Sequence, residues 1–229
     1  MMWRRRCIRG ICSGGIEEKN QDICDTGGKE HDDAARALGD IIWSGKTEEE
    51  DRKKAFETLI IMAACGNGQA QFECGRIYYE CETFWNSQNP AFQARVPDPV
   101  KIDGAGLVEP DYRIATYYLD AAIENGIGEA AAQAAYLYRP DFSLYYHNAY
   151  DSIDLRHSRN LWVNRRKAIE YCIKGIRLGA PRCYGCLHHF VGRKNSEVTE
   201  KLYKLISEGS EAEIKAYLDE LEENGFFVD

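Results

Sequence analysis

The sequence predicts an all-α protein built of stacked helical hairpins, and three observations predict it. Three stretches, residues 51–78, 111–138 and 164–191, align on one another without a gap. A glycine falls at the same place in each. Where the spacing between equivalent positions departs from 36 residues, the surplus always falls at the same turn. Self-similarity at a period of 20–50 residues is the signature of a repeat architecture, in which each unit buries its apolar face only by stacking on its neighbours. A chain of 229 residues is long enough to bury a sizeable core in this way.

Taken from the N-terminus, residues 1–30 read as a poorly ordered lead-in. Arg4, Arg5 and Arg6 give the positive start of a signal peptide, but Arg9, Gly10, Ser13, Gly14 and Gly15 interrupt the apolar run that would have to follow. Residues 31–229 read as the helical-repeat domain. Its first half-unit is an A helix carrying Ala34, Leu38, Gly39 and Ile42, which match Ala70, Cys74, Gly75 and Tyr78 further on. Each aligned stretch then reads as a B helix, a tight turn and the next A helix. Asp51, Asp111 and Asn164 stand at the front, where a side-chain oxygen caps unpaired backbone N–H groups. Ala55, Ala115 and Ala168 are small, so that neighbouring helices approach closely. Gly66, Gly126 and Gly179 follow the B helix, where a left-handed residue closes it. Ala70, Ala130 and Cys183 recur in the A helix.

The step from Ala34 to Ala70 is 36 residues, and the next two are 60 and 53. The two insertions, about residues 83–110 and 140–162, both lie between an A helix and its B helix. After the third stretch, Val198, Leu202, Leu205 and Ile206 mark a degenerate B helix. Ser210 followed by Glu213 marks a capping box that opens a last helix ending near Glu223 before Gly225. These C-terminal capping helices span about residues 196–224. The last one sets Ile214, Tyr217, Leu218 and Leu221 on one face and acids on the other, a polar outer face suited to the end of a stack.

At these positions the chain resembles the Sel-one-like repeats, relatives of the tetratricopeptide repeats. Their signature is A-x-x-x-L-G-x-x-Y-x-x-G-x-G-x-x-x-D-x-x-K-A, closed by A-A…G. Ala34, Leu38, Gly39, Gly45, Asp51, Lys54 and Ala55 follow it. So do Gly75 and Tyr78; Asp111, Ala115, Ala121, Ala122, Gly126, Ala130 and Tyr138; and Lys167, Ala168 and Gly179. Cys74 and Ala134 depart from its Leu, Ala135 and His188 from its Gly, and Val191 from its Tyr. The resemblance covers roughly residues 33–195 without the inserts. It implies an α/α superhelical solenoid with A helices lining the concave side, and a protein-binding scaffold or adaptor. By the spacing of the tetratricopeptide groove, the partner-binding residues are Arg36, Asp40 and Trp43, then Gln69, Phe72, Arg76 and Tyr79. Glu129, Tyr136 and Arg139 follow, and Arg182 and His189 in the last unit. Some relatives join successive helices by disulfides at a spacing that recurs in each unit. Here Cys65–Cys74 and Cys172–Cys183 do not recur, so those bridges are not carried over.

Composition narrows the function. The net charge of −8 opposes nucleic-acid binding, which needs a basic footprint to release counterions, and opposes docking on anionic membranes. No apolar run approaches the ~18 residues of a membrane span. Nine cysteines cannot all pair within one chain, and no Asn-x-Ser/Thr sequon occurs; both lean towards the cytoplasm. The partner expected is therefore a protein or peptide, with no cofactor and no catalytic or metal-binding residue, and oligomeric state is left open. A narrower version is an immunity or effector protein with one specific partner. The inserts are rich in aromatics, and Trp85, Phe92, Tyr145, Tyr146 and Trp162 form a second candidate surface, or else pin the loops to the stack.

The rival reading is a zinc or hydrolytic protein. Cys183-x-x-Cys186 beside His188 and His189 is a metal half-site that lacks two ligands, Cys172 being one candidate. The register favours packing, because Cys183 stands where the other units have alanine and buried cysteine behaves as a small hydrophobe. His147 and His157 with Asp141, Asp151 and Asp154 are the loop residues a hydrolase would use. No phosphate loop, G-x-S-x-G or H-E-x-x-H is present.

Overall fold

A computed structural model describes residues 28–43, 47–79, 107–108, 111–138, 164–192 and 194–227. The expected lead-in up to residue 27 and nearly all of both inserts lie outside the described residues, which contain nine helices and no strand. They are α1 (Lys29–Trp43), α2 (Glu49–Ala64), α3 (Gly68–Tyr79), α4 (Tyr112–Glu124), α5 (Gly128–Leu137), α6 (Arg165–Arg177), α7 (Pro181–Val191), α8 (Ser196–Glu208) and α9 (Glu211–Glu223). α1 begins inside the segment expected to be lead-in. Among the described residues no helix is long and apolar enough to cross a membrane.

Each helix packs on the next in sequence from α1 to α9, including α3 on α4 and α5 on α6 across the inserts. The odd helices also touch one another, α1 on α3, α3 on α5 and α5 on α7, so they form a row. Small residues permit this approach. Ala55, Ala115 and Ala168 are buried at equivalent places, as are Ala70, Ala130 and Cys183. α5 sits in the middle, with Ala130, Ala131, Ala132, Ala134 and Ala135 buried on every side. At Gly75 an added Cβ would lie 2.8 Å from the Leu119 side chain, so α3 and α4 meet there on glycine.

The B-to-A turns are built alike. Gly66, Gly126 and Gly179 have φ of 95°, 87° and 78°, a left-handed conformation that glycine adopts without a Cβ penalty. Around each, the paired hydrogen bonds of a Schellman motif satisfy the last helical carbonyls. Gly66 N–H donates to Ala63 and Asn67 to Met62; Gly126 to Ile123 and Ile127 to Ala122; Gly179 to Ile176 and Ala180 to Gly175. Asp111 caps α4 by accepting from Arg113 and Ile114 N–H at 2.8 and 3.1 Å, and Asn164 caps α6 by accepting from Lys167 at 2.8 Å. Asp51 is a correction. α2 starts at Glu49, so Asp51 lies within its first turn and Glu48 occupies the cap without a side-chain bond. Three consecutive glutamates favour the positive end of the helix and extend it backwards over the expected boundary.

The ends of both insertions are tied together. Asp111 N–H donates to the Tyr78 carbonyl at 3.3 Å, and Asn164 N–H to the Tyr138 carbonyl at 3.1 Å. Beside each bond two tyrosines stack, Tyr78 on Tyr118 at 6.0 Å and Tyr138 on Tyr171 at 5.6 Å. The helices flanking an insertion therefore meet as they would across a short turn.

The C-terminal cap agrees with its sequence. Ser210 and Glu213 form a capping box, and Ile214, Tyr217, Leu218 and Leu221 are buried. Its acidic face is exposed at Glu211, Glu213, Glu220, Glu222 and Glu223 and half-buried at Asp219. Arg166, most of whose side chain is covered, pairs with Asp219 at 2.5 Å, with Glu222, and with Glu170 at 3.1 Å, tying α9 to α6. Arg165 adds hydrogen bonds to the carbonyls of Phe190, Val191 and Phe226.

Candidate functional site

Where α1 ends against α3, four of the expected groove residues meet. The Arg76 guanidinium lies 5.3 Å from the Trp43 ring centre and 5.8 Å from that of Phe72, within cation–π range of both. Beneath it, Glu73 is buried. Its carboxylate accepts from Arg76 at 3.1 Å and from the Gln69 amide at 2.9 Å. A buried carboxylate is tolerable only when paired and hydrogen-bonded, and here both conditions are met. Gly39 makes room for it, since a Cβ there would come 2.8 Å from Glu73 Oε2. Gly39 thus leaves the space in which the Glu73 carboxylate sits.

Gln69 differs from its expected outward-facing position. It is 4% exposed and braces Glu73 from below. Trp43 Nε1 is buried and donates to no acceptor among the described residues. Arg36 and Asp40 are exposed on α1, Arg36 turned towards Asp33 at 3.1 Å. Tyr79 is half-buried, with its ring 5.8 Å from that of Tyr112. Further along the row, Tyr136 of α5 and His189 of α7 both lie against Phe190, at 6.1 and 5.5 Å. Glu129 is half-buried on α5 and Arg182 exposed on α7, both near enough to Cys183 to act on it electrostatically. Arg139, Trp85, Phe92, Tyr145, Tyr146 and Trp162 lie outside the described residues, as do His147, His157, Asp141, Asp151 and Asp154.

Cys172, Cys183 and Cys186 are free thiols in the core, as is Cys74, whereas Cys65 is disulfide-bonded. Cys183 Sγ packs against Gly175. Cys186 is drawn below the usual thiol range by its hydrogen bond with Cys172, aided by the Tyr136 hydroxyl and Arg182, against burial. Burial pushes Cys172 up. His188 and His189 are exposed on the other side of α7. Among the described residues no three His, Cys, Asp or Glu side chains come together as metal ligands do.

Sequence reasoning passed over a second feature. Between α4 and α6 lies a cleft of about 260 Å³, floored by a 2.7 Å hydrogen bond from the Tyr171 hydroxyl to Asp120. Its signal was present in the sequence as Lys167, Tyr171 and Lys174 on one helical stripe, facing Asp120 and Glu124 on another.

No protein-family model matches the chain, and no curated protein matches it.

Proposed function

We propose that this protein is a non-enzymatic scaffold of Sel-one-like repeats, a solenoid whose row of odd helices holds a protein or peptide segment. The observation that carries the reading is Arg76, flanked by Trp43 and Phe72 and braced by buried Glu73. Arg, Trp and aromatic residues fixed in place before binding are the anchors that dominate protein interfaces, because little side-chain entropy is lost when the partner arrives. The recurrence of the same turn, cap and tyrosine stack at repeat-equivalent positions supports the solenoid. The row is continuous from α1 to α7, long enough to contact an extended segment.

The reading places the protein in the cytoplasm, where the four buried free thiols are at home; the Cys65 disulfide pulls the other way. Thiol counting on protein alkylated before lysis decides between them, and a recovered Cys65 disulfide would move the protein to an oxidising compartment.

Photo-crosslinking residues placed at exposed Arg36 and Arg182, on the odd helices, test the binding face against one at Tyr117 on α4, which is 65% exposed. The expected result is one partner captured from both odd-helix positions and not from Tyr117, with capture abolished by Arg76→Glu. Equal capture from Tyr117, or capture indifferent to Arg76→Glu, would overturn the reading.

A further inference from the structure

The cleft between α4 and α6 carries charge that the repeat does not require. Its α6 wall is the stripe Lys167, Glu170, Tyr171 and Lys174, and its α4 wall is Asp120, Ile123 and Glu124. In repeat register the first set corresponds to Ile114, Tyr117, Tyr118 and Ala121 of α4, and the second to Ile60, Ala63 and Ala64 of α2. The equivalent positions one unit earlier are thus free of charge. The ions between α4 and α6 are therefore an addition at one gap.

Those ions are held in place. Tyr171 is buried, stacked on Tyr138 and hydrogen-bonded to Asp120, which gives the cleft a fixed floor. Lys167 Nζ sits 4.6 Å from the Tyr138 ring centre and Lys174 Nζ 5.4 Å from that of Tyr171. Among the described residues neither lysine makes an ion pair, although carboxylates line the same cleft. Seven residues apart on a helix, the two stand about 10 Å from each other along its axis. Of the carboxylates, Asp120 is engaged by Tyr171, Glu170 by Arg166, and Glu124 has an interaction of its own, so a ligand's ammonium would share oxygens already in use.

We infer that this cleft binds a small zwitterion, a free α-amino acid, with its carboxylate on the lysine side and its ammonium on the side of Asp120 and Glu124. A simple anion would meet three carboxylates, and a simple cation would meet two ammonium groups; a zwitterion satisfies both walls. The volume falls below the ~300 Å³ at which drug-sized pockets begin, which suits a ligand of this size. Ile123 offers an apolar surface for its side chain. The site lies on the even helices and does not rest on the groove.

The test uses the full chain, labelled with ¹⁵N and titrated with each free L-amino acid in the millimolar range. The expected result is saturable shifts of α4 and α6 amides by at least one of them. Its amide, lacking the carboxylate, and its N-acetyl form, lacking the ammonium, should each bind about tenfold more weakly, the effect of one lost charge-assisted hydrogen bond. Lys174→Gln should weaken it similarly without changing the circular dichroism spectrum or Tm, and Lys215→Gln on α9 should leave binding unchanged. Absence of saturable shifts with every amino acid would overturn the inference. Equal binding of the N-acetyl form would also overturn it, by revealing a plain carboxylate site such as a peptide C-terminus would fill. Equal binding of the amide would do so by revealing a cation site.

Discussion

At the scale of single residues, the candidate site consists of side chains that hold one another in place. Arg76 keeps its place because Glu73 is buried beneath it, and Glu73 is tolerated because Gln69 and Arg76 satisfy it. Trp43 is the exception, its indole N–H donating to nothing among the described residues. Trp43→Phe should therefore leave stability within about 0.5 kcal/mol of the parent, since no hydrogen bond to a described residue is lost. Urea denaturation measures this, and a loss above 2 kcal/mol would show a missed bond. The stacked tyrosines give a pH dependence. Burial raises Tyr118 above its ordinary 10.0, and burial together with the Asp120 hydrogen bond raises Tyr171. Because the folded values are raised, the stability these rings contribute is complete below pH 10 and is lost as pH rises further through the folded values. Spectrophotometric titration should show two tyrosines ionising only together with alkaline unfolding; two freely titrating rings would contradict the stacking.

At the scale of elements, two kinds of glycine are distinguished by what surrounds them. Gly126 has φ 87° and nothing within 4 Å of an added Cβ, so Gly126→Ala is a test of backbone strain alone and should cost about 1–2 kcal/mol. Gly185 lies within α7, also with open space around it, and Gly185→Ala should stabilise by about 0.5–1 kcal/mol through helix propensity. Opposite signs in thermal denaturation are the expected outcome, and a destabilising Gly185→Ala would place α7 differently. The capping box of α9 adds an acid-sensitive element. The Ser210 backbone and side-chain hydrogen bonds lower the Glu213 carboxyl below its ordinary 4.5, so the cap is fully formed above that value and is lost as pH falls through the folded one. Amide exchange in the first turn of α9 should quicken below pH 4.5 and become insensitive to that change in Glu213→Gln, which removes the titrating group.

At the scale of the molecule, polar side chains tie helices together besides apolar contact, as Asn125 does to Gln71 and Tyr171 to Asp120. α9 is fastened by Arg166, which bonds acids on both α6 and α9. Arg166→Leu would remove the ties to Asp219 and Glu222 and should free α9 first, the amides of α9 losing protection before those of α5. Uniform loss across all helices would mean that the cap and the stack unfold as one unit. The tied ends of the insertions explain how such a chain accommodates long loops. Each insertion leaves and re-enters at one backbone hydrogen bond, and lengthening a loop whose ends are already close costs little further closure entropy.

The sequence by itself determined the helices, their turns and their order. Those depend on local chemistry: a glycine where φ must be positive, an Asp or Asn where N–H groups need an acceptor, and small residues at fixed spacing. The boundary misplaced at Asp51 came from a local competition among neighbouring acids that spacing does not register. The cluster around Arg76 was legible as one helix face but not in what supports it. Register located Trp43, Phe72 and Arg76, yet only the packing of α1 on α3 buried Glu73 and Gln69 beneath them. The α4–α6 cleft was decided by tertiary structure alone, because its two charged stripes are about 50 residues apart in sequence and face one another only across stacked helices. Local patterns reveal which side of a helix is polar; whether two polar sides meet, and with which charges opposed, depends on how the helices are brought together.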